Sequence, residues 1–121
     1  MRPQHVSIAI AADGADAARA FYGELLGLEE KPVPPRLDPS ELIWFRASGD
    51  LELHLMRTGD RPPPSAHFCL AVEGGLDELR RKLESAGVET RTPTQILGRP
   101  RFMCDDPFGN VVELTELSEP A

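Results

Sequence analysis

The imidazoles of this chain that could hold a metal are few, and two of them recur at matching places. Its 121 residues include three histidines, His5, His54 and His67. Neutral imidazole nitrogens and carboxylate oxygens together suit first-row divalent metals. His5 opens the segment His5-Val6-Ser7-Ile8-Ala9-Ile10, and His67 opens its near-copy His67-Phe68-Cys69-Leu70-Ala71-Val72. His54 stands in Leu51-Glu52-Leu53-His54-Leu55, and Glu113 in Asn110-Val111-Val112-Glu113-Leu114-Thr115. Each half of the chain therefore offers one ligand from its first strand and one from its last. His5, His54, His67 and Glu113 are the expected metal ligands. A lone histidine on a strand is more often packed or solvated, but packing alone does not explain the duplicated placement of His5 and His67. The His/His/carboxylate subset is also the facial arrangement used by non-haem iron(II), with positions left open for water or substrate.

The fourth ligand has two candidates. Glu52 is two residues from His54 and shares its sheet face. Matching Leu51-Glu52-Leu53 to Val112-Glu113-Leu114 makes Glu52 the counterpart of Glu113. Matching Leu53-His54-Leu55 instead selects His54, the preferred reading. A carboxylate beside a metal can also carry a proton, so Glu113 and Glu52 are the candidate catalytic bases. For substrate contacts the candidates are Trp44, which can line a cavity, and Arg99 and Arg101, either of which can clamp a carboxylate.

These residues are positioned by a repeated unit with an offset of about 60 residues. Each copy reads as a strand, a helix and three short strands. In the first copy the opening strand runs over 5–11, with Asp13 as helix N-cap and Ala17, Phe21, Leu25 and Leu28 along one helical face. Gly27 suits the helix end. Strands follow at about 28–33, 41–47 and 50–56. In the second copy Leu76, Leu79, Leu83 and Ala86 form the apolar face, and Asp77 and Glu78 favour the positive end of the helix dipole. Gly87 ends that helix, and strands follow at about 88–91, 100–105 and 110–117. Ser48-Gly49-Asp50 and Asp106-Pro107-Phe108-Gly109-Asn110 are tight turns, with a positive φ expected at Gly109. The prolines from Pro32 to Pro39 mark a loop, and Pro62-Pro63-Pro64 a stiff linker. The whole reads as a single domain, 1–121, with module one at about 1–57, the linker at about 58–65 and module two at about 66–121.

Composition narrows the function classes. The chain is 40% hydrophobic and 27% charged, enough to bury a core and stay soluble. A net charge of −7 with no basic run argues against nucleic acid or an anionic membrane as partner. The apolar run Ile8–Ala12 is too short for a signal core or a span, so the cytoplasm is the expected location. Cys69 and Cys104 are too few for a disulfide framework and are expected as buried free thiols. Tyr22, Met56, Met103 and Phe102 read as packing residues.

Four segments carry a family resemblance over nearly the whole chain. They are His5 opening a strand, Phe21-Tyr22-Gly23-Glu24-Leu25-Leu26-Gly27-Leu28 ending a helix, His67-Phe68 opening the second unit, and Asp106 to Leu114 near the end. Together they resemble the vicinal oxygen chelate superfamily: glyoxalases, extradiol dioxygenases, fosfomycin-modifying enzymes and bleomycin-resistance proteins. The resemblance implies an α+β fold of two βαβββ modules, forming a curved mixed sheet around a metal-binding cavity, and a homodimer. By position it places His5, His67 and Glu113 on the superfamily's metal sites and His54 or Glu52 on the further ligand site of glyoxalase-like members. Extradiol dioxygenases use the three-ligand subset alone, so His54 departs from them. Three well-placed histidines depart from drug-binding resistance proteins, and no glycine- and potassium-binding pattern of fosfomycin enzymes is evident. The chain is short for a glyoxalase that must hold a glutathione adduct. Three functions follow: a glyoxalase-like lyase or isomerase using zinc, nickel, manganese or iron(II) on a small oxygen-chelating substrate, an iron(II) dioxygenase, and a module that binds a small molecule such as an antibiotic without catalysis.

Overall fold

The computed structural model describes residues 1–117; the last four residues of the expected second module lie outside them. Two βαβββ units are present. In the first, β1 (His5–Ala9) leads to helix α1 (Ala15–Ala18), a π-helical continuation (Arg19–Leu25), then β2 (Glu29–Lys31), β3 (Leu42–Ser48) and β4 (Leu51–Met56). In the second, β5 (His67–Val72) leads to α2 (Leu76–Ser85), then β6 (Thr90–Arg91), β7 (Arg101–Asp105) and β8 (Val111–Glu116). Each unit is one mixed four-stranded sheet, ordered β1-β4-β3-β2 and β5-β8-β7-β6, with its first and last strands parallel neighbours. By internal contacts the first unit is Met1–Pro64 with Pro107–Asn110, and the second is Ser65–Asp106 with the chain from Val111 onward. Among the described residues no helix is long and apolar enough to cross a membrane.

Strand alternation separates two faces in each sheet. In the first, Ile43, Phe45, Leu53 and Leu55 are buried with Ile10, Ala18, Phe21 and Tyr22 from β1's end and the helix. In the second, Phe102, Cys104, Val112 and Leu114 are buried with Leu76 and Leu83 of α2. Each buried Val, Leu, Ile or Phe among them contributes roughly 1.5–3 kcal/mol, so these faces set the sheet register. The opposite faces carry His5, Glu52, His54 and Trp44 in the first unit, and His67, Cys69, Glu113 and Arg101 in the second.

Three local expectations are corrected. Asp13 does not cap the first helix: Gly14 is the N-cap, with no side-chain cap bond. An added Cβ at Gly14 would lie 2.4 Å from Phe108 Cε1, so close packing by the 107–110 turn sets this helix entry. The buried face of that helix is Ala18, Phe21 and Tyr22 rather than Ala17, Phe21, Leu25 and Leu28, because its second half widens into π geometry, with Leu26 N–H donating to Phe21 O at 3.0 Å. Cys104 is buried as expected, but Cys69 is exposed: it lies on the polar face of edge strand β5, in register with Glu113. Gly109 has its expected positive φ of 87°.

Candidate metal centre

The strand registers place the candidate ligands. Across the first sheet one rung runs Lys31, Trp44, His54, Ser7, and the next on the same face runs Glu29, Arg46, Glu52, His5. Across the second, the matching rung runs Arg91, Met103, Glu113, Cys69. Ser7 and Cys69 are the same position of the repeated first strand, so His54 occupies in the first sheet the place that Glu113 occupies in the second. Glu52 sits one pleat away on the same face, opposite His5.

In the first unit His54 is buried and sandwiched. Trp44 covers one ring face, with centroids 3.8 Å apart, and His5 the other, at 4.2 Å. His54 Nε2 is 3.0 Å from Glu52 Oε1; an ionised carboxylate only accepts, so Nε2 carries the proton. Glu52 is 8% exposed and also accepts from Lys31 Nζ and from Gln4 Nε2 at 3.3 Å. Lys31, then His54, holds the Glu52 carboxyl far below the ordinary range, at about 2, against an upward push from burial. His5 Nδ1 lies 2.7 Å from Gln4 Oε1. The Trp44 indole Nε1 is buried with no hydrogen-bond partner.

In the second unit His67 Nε2 lies 3.3 Å from Glu113 Oε1, the imidazole 43% exposed and the carboxylate 4%. Arg101 Nη1 donates to the same oxygen at 3.3 Å and Nη2 to Thr94 O at 2.7 Å, while its Nε is buried without a partner. Cys69 lies beside Glu113; burial first, and this carboxylate second, push its thiol up to about 11. Arg99 is exposed in the turn closed by its N–H to Ile96 O, at 3.0 Å.

The candidates thus come as imidazole–carboxylate pairs, one on each sheet. Among the described residues no group of three or more His, Cys, Asp or Glu side chains is gathered to hold an ion. The donor set nevertheless fits a divalent metal. Imidazole and carboxylate are ordinary donors for such an ion, and Glu52 and Glu113, paired for now with Lys31 and Arg101, each have an imidazole within 3.3 Å that can share a metal with it. Lys31 was not singled out from the sequence. It is on the edge strand β2, and only the Lys31–Trp44 register puts it on the face of His54.

The model of the Glyoxalase/Bleomycin resistance protein/Dioxygenase superfamily matches residues 2–114. A protein of the glyoxalase family from Bacillus anthracis is 33% identical, with a TM-score of 0.86 over 98% of this chain and 96% of that one. A lactoylglutathione lyase from Agrobacterium tumefaciens is 24% identical, with a TM-score of 0.71 over 95% and 92%. An antibiotic binding protein from Streptomyces is also 24% identical, with a TM-score of 0.76 over 98% and 97%. The last two likenesses show the fold alone. No curated protein matches the sequence.

Proposed function

The chain belongs to the glyoxalase/bleomycin resistance protein/dioxygenase superfamily, and from that premise we propose that it is a divalent-metal-dependent lyase or isomerase of the glyoxalase kind. Its substrate is a small molecule presenting two neighbouring oxygens. The observation that carries this reading is the repeated imidazole–carboxylate pair, His54 with Glu52 at 3.0 Å and His67 with Glu113 at 3.3 Å.

His5, His54, His67 and Glu113 would hold the ion, which is zinc, nickel, manganese or iron(II). When bound, the metal supplies Lewis acidity to the chelated substrate oxygens. The chain's own residues do the rest. Glu113 and Glu52 are the groups that can carry a proton. While Lys31 holds it at about 2, Glu52 is too weak a base for neutral pH, so it serves only once Lys31 has left it. Trp44 walls the site and keeps water from His54, and its free indole N–H can bond a substrate oxygen. Arg101 and, from its exposed turn, Arg99 bind the substrate's anionic end. We also assign the protein to a homodimer, which light scattering measures, and to the cytoplasm, where the free thiols Cys69 and Cys104 stay reduced.

A second reading is favoured by the Trp44–His54–His5 stack. A flat aromatic surface suits capture of a planar ligand without catalysis, and the Streptomyces relative is itself an antibiotic binding protein. Elemental analysis of protein purified without added metal, with calorimetric titration of His67→Ala and Glu113→Gln, separates the readings. Zinc, nickel or manganese lost in both variants, without oxygen uptake, supports the lyase. Iron with oxygen uptake replaces it with a dioxygenase. No metal, with His5→Ala behaving as wild type, leaves the binding module.

A further inference from the structure

Each carboxylate of the two pairs already has a cation from its own chain. Glu113 is 3% exposed and accepts from Arg101, whose side chain is 16% exposed. Glu52 accepts from Lys31, whose stem crosses β3 from the sheet edge to reach it. Lysine and arginine lose rotamer freedom when held in this way, and a buried ion pair seldom repays its desolvation. A divalent ion seated on either carboxylate must displace the cation or share the oxygen with it. Arg101 also has a feature no internal contact uses: its Nε–H is buried and unpartnered. A guanidinium anchored through Nη2 to Thr94 O, with Nε free and Nη1 released from Glu113, keeps its place and has two donors to give.

We propose that Arg101 is a resident counter-ion that holds Glu113 in the metal-free protein, yields it to the metal, and then binds an anionic oxygen of the substrate. Lys31 plays the first of these parts at Glu52. The substrate class that follows is a chelating carboxylate, such as a 2-oxo or 2-hydroxy acid, rather than a neutral diol or ketone. A guanidinium beside a divalent ion makes the site strongly positive, and an anion is what relieves it. This inference rests on the metal reading given above.

The test uses the intact protein, nickel or zinc, and oxalate, a dianion with two neighbouring oxygens, followed by calorimetry. Arg101→Met is expected to bind the metal about three- to tenfold more tightly, because one competing cation is gone. The metal-loaded variant is expected to bind oxalate about tenfold or more weakly. Arg101→Lys keeps the charge but not the fork, so it should hold metal affinity within about threefold of wild type while still weakening oxalate. Loss of packing alone cannot tighten one ligand and weaken the other. Lys31→Met, on a partly exposed edge strand, tests the counter-ion part in a variant that folds even if Arg101→Met does not, and should tighten metal binding alike. If Glu113→Gln loses metal while Arg101→Met and Lys31→Met leave metal and oxalate affinity unchanged, the counter-ion proposal falls and the metal reading stands. If the wild-type protein binds neither metal, both fall.

Discussion

Trp44 lies flat on His54, with ring centroids 3.8 Å apart and planes within 4° of parallel, and His5 stacks on the other side of the same imidazole. The three residues come from β3, β4 and β1, neighbours in the sheet. Trp44 is the single tryptophan of the chain, so its emission reports this stack directly. His54→Ala should brighten the emission and move it to the red, as an imidazole contact is replaced by water. Trp44→Ala should lower stability by about 1–2 kcal/mol, less than the ~3–5 of a fully buried ring, since the indole is only half-buried. Unchanged emission in His54→Ala would contradict the stack.

Glu52 contributes to the acid limb of stability. Its carboxyl ionises at about 2 in the folded protein against an ordinary value of 4.5, held down first by Lys31 and then by His54. A depressed folded value means the unfolded chain binds the proton first, so the contribution is complete above about 4.5 and fades as pH falls toward about 2. Melting temperature measured between about pH 5 and pH 2 should fall less steeply for Glu52→Gln than for wild type. The variant should also be the less stable of the two at neutral pH.

Gly14 is needed for its lack of a side chain. A Cβ there would lie 2.4 Å from Phe108 Cε1, 2.8 Å from Phe108 Cζ and 3.1 Å from Ala11 O. Gly14→Ala must therefore move the Phe108 ring out of the turn that Asn110 ties to Ala9 O at 2.8 Å. The cost expected in a denaturant titration is about 1–3 kcal/mol. Combining it with Phe108→Ala should cost less than the sum of the two, because the clash is gone. Strict additivity would show that the ring is not what fills this space.

The two thiols should react differently. Cys69 is exposed, but burial of its sulfur and the neighbouring Glu113 push its pKa up to about 11. Cys104 is fully buried, and burial pushes it likewise to about 11. With an aromatic disulfide reagent near pH 8, Cys69 should react slowly for an accessible thiol, and Cys104 only after unfolding, since the thiolate is the reactive form. Glu113→Gln should speed Cys69 and leave Cys104 unchanged. Equal rates for the two thiols would contradict this.

Much of the architecture is legible in the residues themselves. The near-copy of His5–Ile10 at His67–Val72 announces the duplication, and the alternation in Leu51–Met56 and Val111–Glu116 puts the candidate ligands on one face and the aliphatic residues on the other. Side-chain direction in a strand depends only on parity, so those assignments need no partner strand. The same parity is why the competition between Glu52 and His54 could not be resolved along the chain: residues two apart share a face, and a slip of two preserves every pattern. Only the pairing of Ser7 with His54 and of Cys69 with Glu113 makes His54 the register counterpart of Glu113. Tertiary pairing also decided what no periodicity encodes: that Lys31 reaches Glu52 across a strand, that Arg101 reaches Glu113, and that Cys69 is exposed while Cys104 is not. Those contacts join residues distant along the chain, and their geometry follows from strand order and register, which arise when the whole sheet closes.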